Sequence, residues 1–143
     1  MSSTKTRLFL VDDDILFLKS LELEFLEKDN YEIITFNTGE ACIEALILDP
    51  DIIVLDYHLD GIVKGAINGL ETLDKIKQHN KNLPVIMLSS QDKIQVAVNC
   101  MHHKAYDYVV KSETAFLRLE KNINQILAQQ KTESEVKWYM DRM

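Results

Sequence analysis

The sequence predicts an α/β fold in which five short strands form a parallel sheet and helices pack on both of its faces. Short apolar runs alternate with longer segments of helical periodicity, which is the pattern of repeated βαβ units. Right-handed crossovers between parallel strands then place helices on both faces. Four of the apolar runs end in a polar residue, and the carboxyl ends of parallel strands meet at the edge where ligands bind. We therefore expect a functional site at that edge.

The composition indicates one globular domain. The chain has 143 residues, of which 46% are hydrophobic and 27% charged, and its formal net charge is −7. This acidic balance argues against direct binding to nucleic acid. The apolar runs are too short to span a bilayer and the polar N-terminus lacks a signal peptide, so we expect a cytoplasmic protein without a membrane partner. Cys42 and Cys100 are expected to be buried free thiols.

The first two strands and the helix between them follow from the spacing of apolar residues. Strands are predicted over about residues 7–11 and 31–36, and a helix over about residues 14–28. The apolar residues expected on the core face of this helix are Ile15, Leu18, Leu21, Phe25 and Leu26.

Helix 2 is expected to begin after Thr38, whose side chain can serve as its N-cap. Its predicted buried stripe consists of Ala41, Ala45 and Leu48. The Asp49-Pro50 pair ends this helix, and strand 3 follows directly before Asp56.

The remaining elements also carry local signals. The segment Asn68-Gly-Leu-Glu71 resembles a capping box and opens helix 3. Strand 4 starts at Leu83-Pro84, helix 4 covers about residues 91–103, and strand 5 covers residues 106–110. Helix 5 is expected to be capped by Ser112 or Thr114.

Acidic residues follow strands 1 and 3, and they predict a metal site. Carboxylates that share a cleft stay ionised together only when a cation lies among them. A few carboxylates with several retained waters suit Mg²⁺. We therefore predict that Asp12, Asp13 and Asp56 bind Mg²⁺. Asp14, in the same acidic run, is equally a candidate for the N-cap of helix 1.

A carboxylate beside Mg²⁺ can also act as a nucleophile and form an aspartyl phosphate. Phosphoryl transfer needs little beyond in-line positioning and neutralisation of charge. The Lys111 ammonium could hold one phosphoryl oxygen, and the Ser89 hydroxyl or a backbone N–H could hold another. Taken alone, Lys111 is also typical of a surface lysine and Ser89 of a helix cap. Together with the acids, they predict a site for phosphoryl transfer.

These strand-end residues resemble the receiver domains of bacterial two-component response regulators. The resemblance covers about residues 5–128, and it is carried by Leu10-Val-Asp-Asp-Asp14, Asp51-Ile-Ile-Val-Leu-Asp56, Leu83-Pro-Val-Ile-Met-Leu-Ser-Ser90 and Tyr108-Val-Val-Lys111. It implies a doubly wound (βα)5 flavodoxin-like sandwich with strand order 2-1-3-4-5. We accordingly expect a receiver domain at residues 1–128 and a polar helical extension of helix 5 at residues 129–143.

The resemblance also implies the chemistry of the site. Asp56 would accept a phosphoryl group from a phosphohistidine on a histidine kinase or phosphotransfer protein. Mg²⁺ would be held by the side chains of Asp12, Asp13 and Asp56 and by the backbone carbonyl of His58, with Asp13 a direct ligand. Such a protein catalyses its own phosphorylation and dephosphorylation and is not a turnover enzyme.

Further residues are assigned by position in the family pattern. Ser89, Ser90 and Lys111 match the residues that bind the phosphoryl group and sense it, and Tyr108 matches an aromatic residue that turns inward on activation. The positions that influence phosphoryl lifetime are Tyr57, His58 and Gln91. Phosphorylation would change the surface formed by helix 4, strand 5 and helix 5. That surface would contact a downstream protein or a lost output domain, or form a dimer.

Three features depart from the family pattern. Ser112 replaces the proline that usually follows the lysine, so we expect a trans Lys111–Ser112 bond and a rerouted loop before helix 5. The loop at residues 57–68 is longer than usual, and we expect it to act as a lid or specificity element beside the acceptor. His58 could act as a general base, but we favour a rim residue that contributes its backbone.

Two other functions stay open at this point. A haloacid-dehalogenase-like phosphatase also uses an aspartate nucleophile with Mg²⁺, but its second aspartate is replaced here by His58 and the acceptor strand is third rather than first. The other alternative is a degenerate receiver that acts only as a protein-interaction module. The intact Asp13, Asp56 and Lys111 argue against it.

Overall fold

Five strands form one sheet in the order β2-β1-β3-β4-β5 in the computed structural model, which describes residues 5–143. The strands are β1 (Thr6–Val11), β2 (Tyr31–Phe36), β3 (Ile52–Asp56), β4 (Val85–Ser89) and β5 (Asp107–Val110). Each neighbouring pair is parallel, so all five carboxyl ends lie along one edge. The predicted doubly wound fold and strand order are confirmed.

The helices alternate with the strands. They are α1 (Ile15–Leu26), α2 (Gly39–Glu44), α3 (Gly69–His79), α4 (Ile94–His102) and α5 (Ala115–Asp141). A short 3₁₀ helix, Ala45–Leu48, continues α2. The α5 helix runs without interruption into the predicted extension. Within residues 5–143, no helix combines the length and apolar character that crossing a membrane requires.

The alternation of side chains along each strand divides the core into two layers. On β1, Leu8 and Leu10 join the cluster under α1 and α5, whereas Phe9 and Val11 join the cluster under α2, α3 and α4. Both clusters are closed to solvent because the strands are covered on both faces. Cys42 and Cys100 lie fully buried in the second cluster as free thiols, as predicted. Burial raises the pKa of the Cys42 thiol to about 12.

The predicted core face of α1 is partly wrong. Leu18, Leu21 and Phe25 are buried, but Ile15 is 57% exposed and Leu26 is 49% exposed. These two residues are the first and last of the helix, so they project beyond the part of α1 that covers the sheet.

The predicted stripe of helix 2 is also wrong by one residue. Cys42 and Leu46 face the core, while Leu48 is 44% exposed. Cys42 and Leu46 are four residues apart, as are Ala41 and Ala45, so helical periodicity alone does not show which pair is buried. The change to 3₁₀ geometry at Ala45 further rotates the end of the segment.

The predicted helix starts are confirmed at three helices. The side chains of Asp14, Thr38 and Asn68 accept hydrogen bonds from backbone N–H groups in the first turns of α1, α2 and α3. Asn68 and Glu71 form the complete capping box, with the two hydrogen bonds at 2.9 and 3.2 Å. At α5, Thr114 occupies the N-cap position but its side chain does not cap; instead Ser112 Oγ accepts from the Thr114 N–H at 3.3 Å.

The start of α3 lies in close contact with the end of β3. The Gly69 N–H donates to the Tyr57 carbonyl at 3.0 Å. A Cβ at Gly69 would lie 2.4 Å from the carbonyl oxygen of Asp56 and 2.7 Å from the Cα of Tyr57. Only glycine therefore allows this helix to begin directly against the backbone that carries Asp56.

We expect the substitution Gly69→Ala to destabilise the protein by about 1–3 kcal/mol, because the added methyl group would displace the backbone at Asp56 and Tyr57. Urea unfolding followed by circular dichroism measures this change. The matched control is Gly61→Ala, whose added Cβ would meet its nearest atom at 3.4 Å, and we expect it to stay within about 0.5 kcal/mol of wild type. Equal stability of the two variants would contradict the close approach at Gly69.

Candidate functional site

The site lies where four strands end. Asp12 and Asp13 follow β1, Asp56 ends β3, Ser89 ends β4, and Lys111 follows β5. Backbone hydrogen bonds from Tyr57 N to Leu88 O and from Lys111 N to Ser89 O, both at 2.8 Å, extend the sheet pairing beyond the strands. The residues predicted from the strand ends are therefore brought to one edge by the sheet itself.

Three carboxylates meet at this edge. Asp12, Asp13 and Asp56 each place a carboxylate oxygen within 4.8 Å of the others. Asp12 and Asp56 are both only 2% exposed, whereas Asp13 is half-buried. Buried carboxylates at such short range repel one another and are costly to ionise without a cation.

Lys111 supplies the positive charge inside this cluster. Its Nζ lies 2.8 Å from Asp12 Oδ2 and 3.4 Å from Asp56 Oδ1, and its side chain is 14% exposed. Burial disfavours the charged ammonium, but pairing with Asp12 and Asp56 outweighs burial and raises the pKa of Lys111. Lys111 is thus a fixed cation at the site and not a surface lysine.

One ammonium does not neutralise three carboxylates, and the pKa of Asp56 reflects both its burial and this excess of negative charge. Burial and then the charge of Asp12 raise the pKa of Asp56 to about 8, although Lys111 and the His58 N–H oppose the rise. The His58 N–H donates to Asp56 Oδ1 at 3.3 Å. A second cation would relieve this excess of negative charge, and an all-oxygen donor set fits a hard ion such as Mg²⁺. Asp12, Asp13 and Asp56 are the side chains that would hold it.

Ser89 and Tyr108 are linked through Gln91. Ser89 is fully buried, and its Oγ accepts a hydrogen bond from the Gln91 N–H at 3.0 Å. The Tyr108 hydroxyl donates to the backbone carbonyl of Gln91. The hydrogen bond between Ser89 Oγ and the Gln91 N–H closes a turn at residues 89–91, and α4 begins at Ile94, later than its predicted start at residue 91. Ser90, the neighbouring hydroxyl predicted for phosphate binding, is exposed.

Tyr57 and His58 form part of the rim of the site. Both are half-buried, and their rings meet edge to face with centroids 4.9 Å apart. Among the residues that the structure describes, none provides a hydrogen-bonding partner for the buried Nε2 of His58. The role of the His58 carbonyl as a metal ligand stays a prediction.

The long loop at residues 57–68 is anchored at both ends. Leu59 is fully buried in the core, and the Ile67 N–H donates to Glu40 Oε2 at 3.1 Å. Between these anchors, the Cα of Gly61 lies close enough to Asp13 that an added Cβ would be 3.4 Å from Asp13 Oδ2, while Ile62 is 74% exposed. Sequence reasoning missed Leu59, because the loop also contains Ile62, Val63 and Ile67 and the sequence does not show which of these apolar residues is buried.

Sequence reasoning also missed Phe17. The Lys111 Nζ lies over the ring of Phe17, 4.8 Å from its centroid. Phe17 does not fall on the predicted core face of α1, and its position over the ammonium depends on tertiary packing.

The loop that follows Lys111 is ordered by Ser112. The Lys111–Ser112 bond is trans, as predicted, since residues 5–143 contain no cis peptide. The Ser112 carbonyl accepts from the Ala115 N–H at 3.1 Å, in addition to the side-chain contact with Thr114. The serine therefore forms the turn that leads into α5.

Comparisons with known proteins place this site in a family context. The family model described as response regulator receiver domain matches residues 8–130. A protein-glutamate methylesterase/protein-glutamine glutaminase of Clostridium acetobutylicum is 32% identical over 117 residues, which cover 78% of this chain and 32% of that protein. The nitrogen assimilation regulatory protein NtrX of Azorhizobium caulinodans is 32% identical over 103 residues, covering 71% of this chain and 22% of that protein.

Solved structures agree with the sequence comparison. The receiver domain of NtrX from Brucella abortus is 26% identical and superposes with a TM-score of 0.69, covering 82% of this chain and 98% of that domain. The chain thus matches a whole domain of this kind, but only about a third or less of the length of the two curated relatives.

The raised pKa of Asp56 leads to a prediction about metal binding and pH. Between about pH 4 and pH 8, the folded metal-free protein retains a proton on Asp56 that the unfolded chain has lost, so the contribution of Asp56 to stability falls as pH rises through this window. Mg²⁺ competes with that proton. We therefore expect Mg²⁺ to raise the melting temperature more at pH 8 than at pH 5.

Differential scanning calorimetry with and without Mg²⁺ measures this difference. In the Asp56→Asn variant, the increase caused by Mg²⁺ should be smaller and less dependent on pH. An equal effect of Mg²⁺ at both pH values in the wild-type protein would contradict competition between metal and proton at Asp56.

Proposed function

Because the chain belongs to the family of response regulator receiver domains, we propose that Asp56 accepts a phosphoryl group from the phosphohistidine of a histidine kinase or phosphotransfer protein. The observation that carries this proposal is the position of the Lys111 ammonium, 2.8 Å from Asp12 and 3.4 Å from Asp56 in a buried acidic cleft. Such a cleft combines a carboxylate nucleophile with fixed positive charge.

The transfer step is a displacement at phosphorus. A carboxylate oxygen of Asp56 forms a bond to phosphorus while the P–N bond of the phosphohistidine breaks, and its electron pair leaves on the imidazole nitrogen. Lys111 is placed to neutralise the phosphoryl oxygens, as an ammonium does in phosphoryl transfer. Bound Mg²⁺ supplies further neutralisation of phosphoryl charge. Asp12 and Asp13 would hold the ion together with Asp56.

The hydrogen bonds around Gln91 support a route from the acceptor to the surface. A phosphoryl group on Asp56 attracts the Ser89 hydroxyl as a donor, and movement of Ser89 towards that group weakens the hydrogen bond that Ser89 Oγ accepts from the Gln91 N–H. The Gln91 carbonyl is also the acceptor for the Tyr108 hydroxyl, so movement of this turn shifts Tyr108. The equilibrium between two conformations of β4, α4 and β5 then depends on phosphorylation.

The surface that changes is suited to contact with another protein. On α4, Ile94 is 84% exposed and Met101 is 45% exposed, and on α5 Leu117 is 62% exposed. We propose that this face binds a downstream protein or an output domain, or a second copy of the chain. The α5 extension at residues 129–143 continues from the same element.

The phosphatase alternative has less support. The family match and strand order are those of a receiver, and His58 occupies the position at which such a phosphatase has its acid. The degenerate-receiver alternative is disfavoured because Asp13, Asp56 and Lys111 converge in one cleft.

Labelling with acetyl phosphate and Mg²⁺ tests the acceptor. We expect a phosphate-affinity gel to show phosphorylation of the wild-type protein and its loss in Asp56→Asn, because the amide is not a nucleophile. The matched control is Asp60→Asn, an exposed acid in the same loop, which should be labelled like wild type. Equal labelling of Asp56→Asn and wild type would exclude Asp56 as the acceptor, and rapid turnover of p-nitrophenyl phosphate would favour the phosphatase.

Shortening the long loop tests its role as a lid. The loop passes beside Asp13 at Gly61, so removal of residues 61–65 should expose the phosphoryl group to water and speed dephosphorylation. The decay of the labelled band after removal of acetyl phosphate measures this rate. Lys64→Ala, which keeps the loop length, serves as the control. Unchanged phosphorylation and dephosphorylation rates in the shortened variant would contradict a lid.

A further inference from the structure

The aromatic ring of Phe17 forms one wall around the Lys111 ammonium. Phe17 lies in the first turn of α1, where its N–H donates to Asp14 Oδ1 at 3.2 Å. Its ring is half-buried and packs against the core cluster shared by α1 and α5. The ring is thereby held with its face towards Lys111, and the Nζ lies 4.8 Å from the ring centroid.

The ammonium of Lys111 contacts three groups, and each restrains it from a different element. Asp12 follows β1, Asp56 ends β3, and Phe17 belongs to α1. The electron-rich face of an aromatic ring attracts a cation, and the attraction strengthens when water is excluded. The Lys111 side chain is only 14% exposed, so the ring takes a place that water would occupy around a surface lysine.

We propose that Phe17 is a positioning residue for phosphoryl transfer, which holds the Lys111 ammonium beside the acceptor oxygen of Asp56. The proposal rests on the proposed function of Asp56. Lysine has a flexible four-carbon side chain, and its charge contributes most when its position is fixed before reaction. Phe17 attracts the ammonium without being a carboxylate, so this attraction does not depend on the protonation of Asp12 or on the phosphorylation of Asp56.

Phe17 could instead serve only as packing for α1, and the chain offers a matched control for that role. Phe116 is also half-buried against the same core cluster, and it also lies near a lysine, with Lys28 Nζ 5.8 Å from its ring centroid. Phe116 lies in the first turns of α5, in edge-to-face contact with Phe25 and not among the residues around Lys111.

The first measurement is the initial rate of phosphorylation by acetyl phosphate at saturating Mg²⁺. Phe17→Leu keeps an apolar side chain but removes the aromatic face, and we expect the rate to fall by about 3- to 30-fold. Phe17→Tyr keeps the face and should restore a rate near that of wild type. Phe116→Leu should also be labelled at the wild-type rate. A wild-type rate in Phe17→Leu, or an equal loss in Phe116→Leu, would overturn the proposal.

The second measurement detects the contact without any phosphorylation. In the wild-type protein, the ring current of Phe17 should shift the NMR resonance of the Lys111 ε-methylene upfield, and the resonance can be assigned by its loss in Lys111→Arg. This shift should disappear in Phe17→Leu and persist in Phe17→Tyr and Phe116→Leu. A resonance that is the same in Phe17→Leu and wild type would overturn the proposal.

The two measurements separate failure of this proposal from failure of the proposed function. If Asp56 is not the acceptor, the wild-type protein is not labelled at Asp56 while the ring-current shift is still present. If only the role of Phe17 is wrong, labelling requires Asp56 but proceeds in Phe17→Leu at the wild-type rate.

Discussion

The ion pair of Lys111 with the buried carboxylates of Asp12 and Asp56 is the interaction on which the site depends. These groups are almost closed to solvent, and the ammonium lies between them. With Asp13, the cleft still carries more negative than positive charge, so it favours a divalent cation and keeps Asp56 partly protonated in its absence. The same excess of negative charge would oppose the approach of an anionic phosphoryl group unless a cation neutralises it, which is why the proposed function requires both Lys111 and a metal ion.

The parallel sheet makes this charge arrangement possible. Residues far apart in sequence reach one edge because every strand runs in the same direction. The register between neighbouring strands then fixes how far along the strand direction each of these residues lies relative to the others. Local packing then holds the acceptor strand in place. Gly69 lets α3 start against the backbone of Asp56 and Tyr57, and Leu59 ties the following loop into the core. The proposed acceptor is thus supported by rigid elements, while the turn at Gln91 is held by hydrogen bonds to Ser89 and Tyr108, which the proposed phosphorylation would change.

Much of the fold and the polar part of the site could be predicted from the sequence, because strand ends and helix caps are local signals. Asp56 and Lys111 directly follow apolar runs, and the capping box at Asn68 is visible in four residues. Contacts that depend on how helices lie across the sheet could not be predicted in this way. Phe17 on α1 and Lys111 after β5 are far apart in sequence and meet only through tertiary packing, and periodicity gave no reason to choose Cys42 over Ala41 as the buried residue of α2.

Chemical mapping of the phosphoryl group would identify the residue that accepts it. Borohydride reduces an aspartyl phosphate to homoserine, and mass spectrometry of peptides then locates the modified residue. After incubation of the wild-type protein with acetyl phosphate and Mg²⁺, we expect homoserine at position 56 and unmodified aspartate at positions 12 and 13. Homoserine at position 12 or 13, or a phosphoryl group found on any residue other than Asp56, would contradict the assignment of Asp56 as the acceptor.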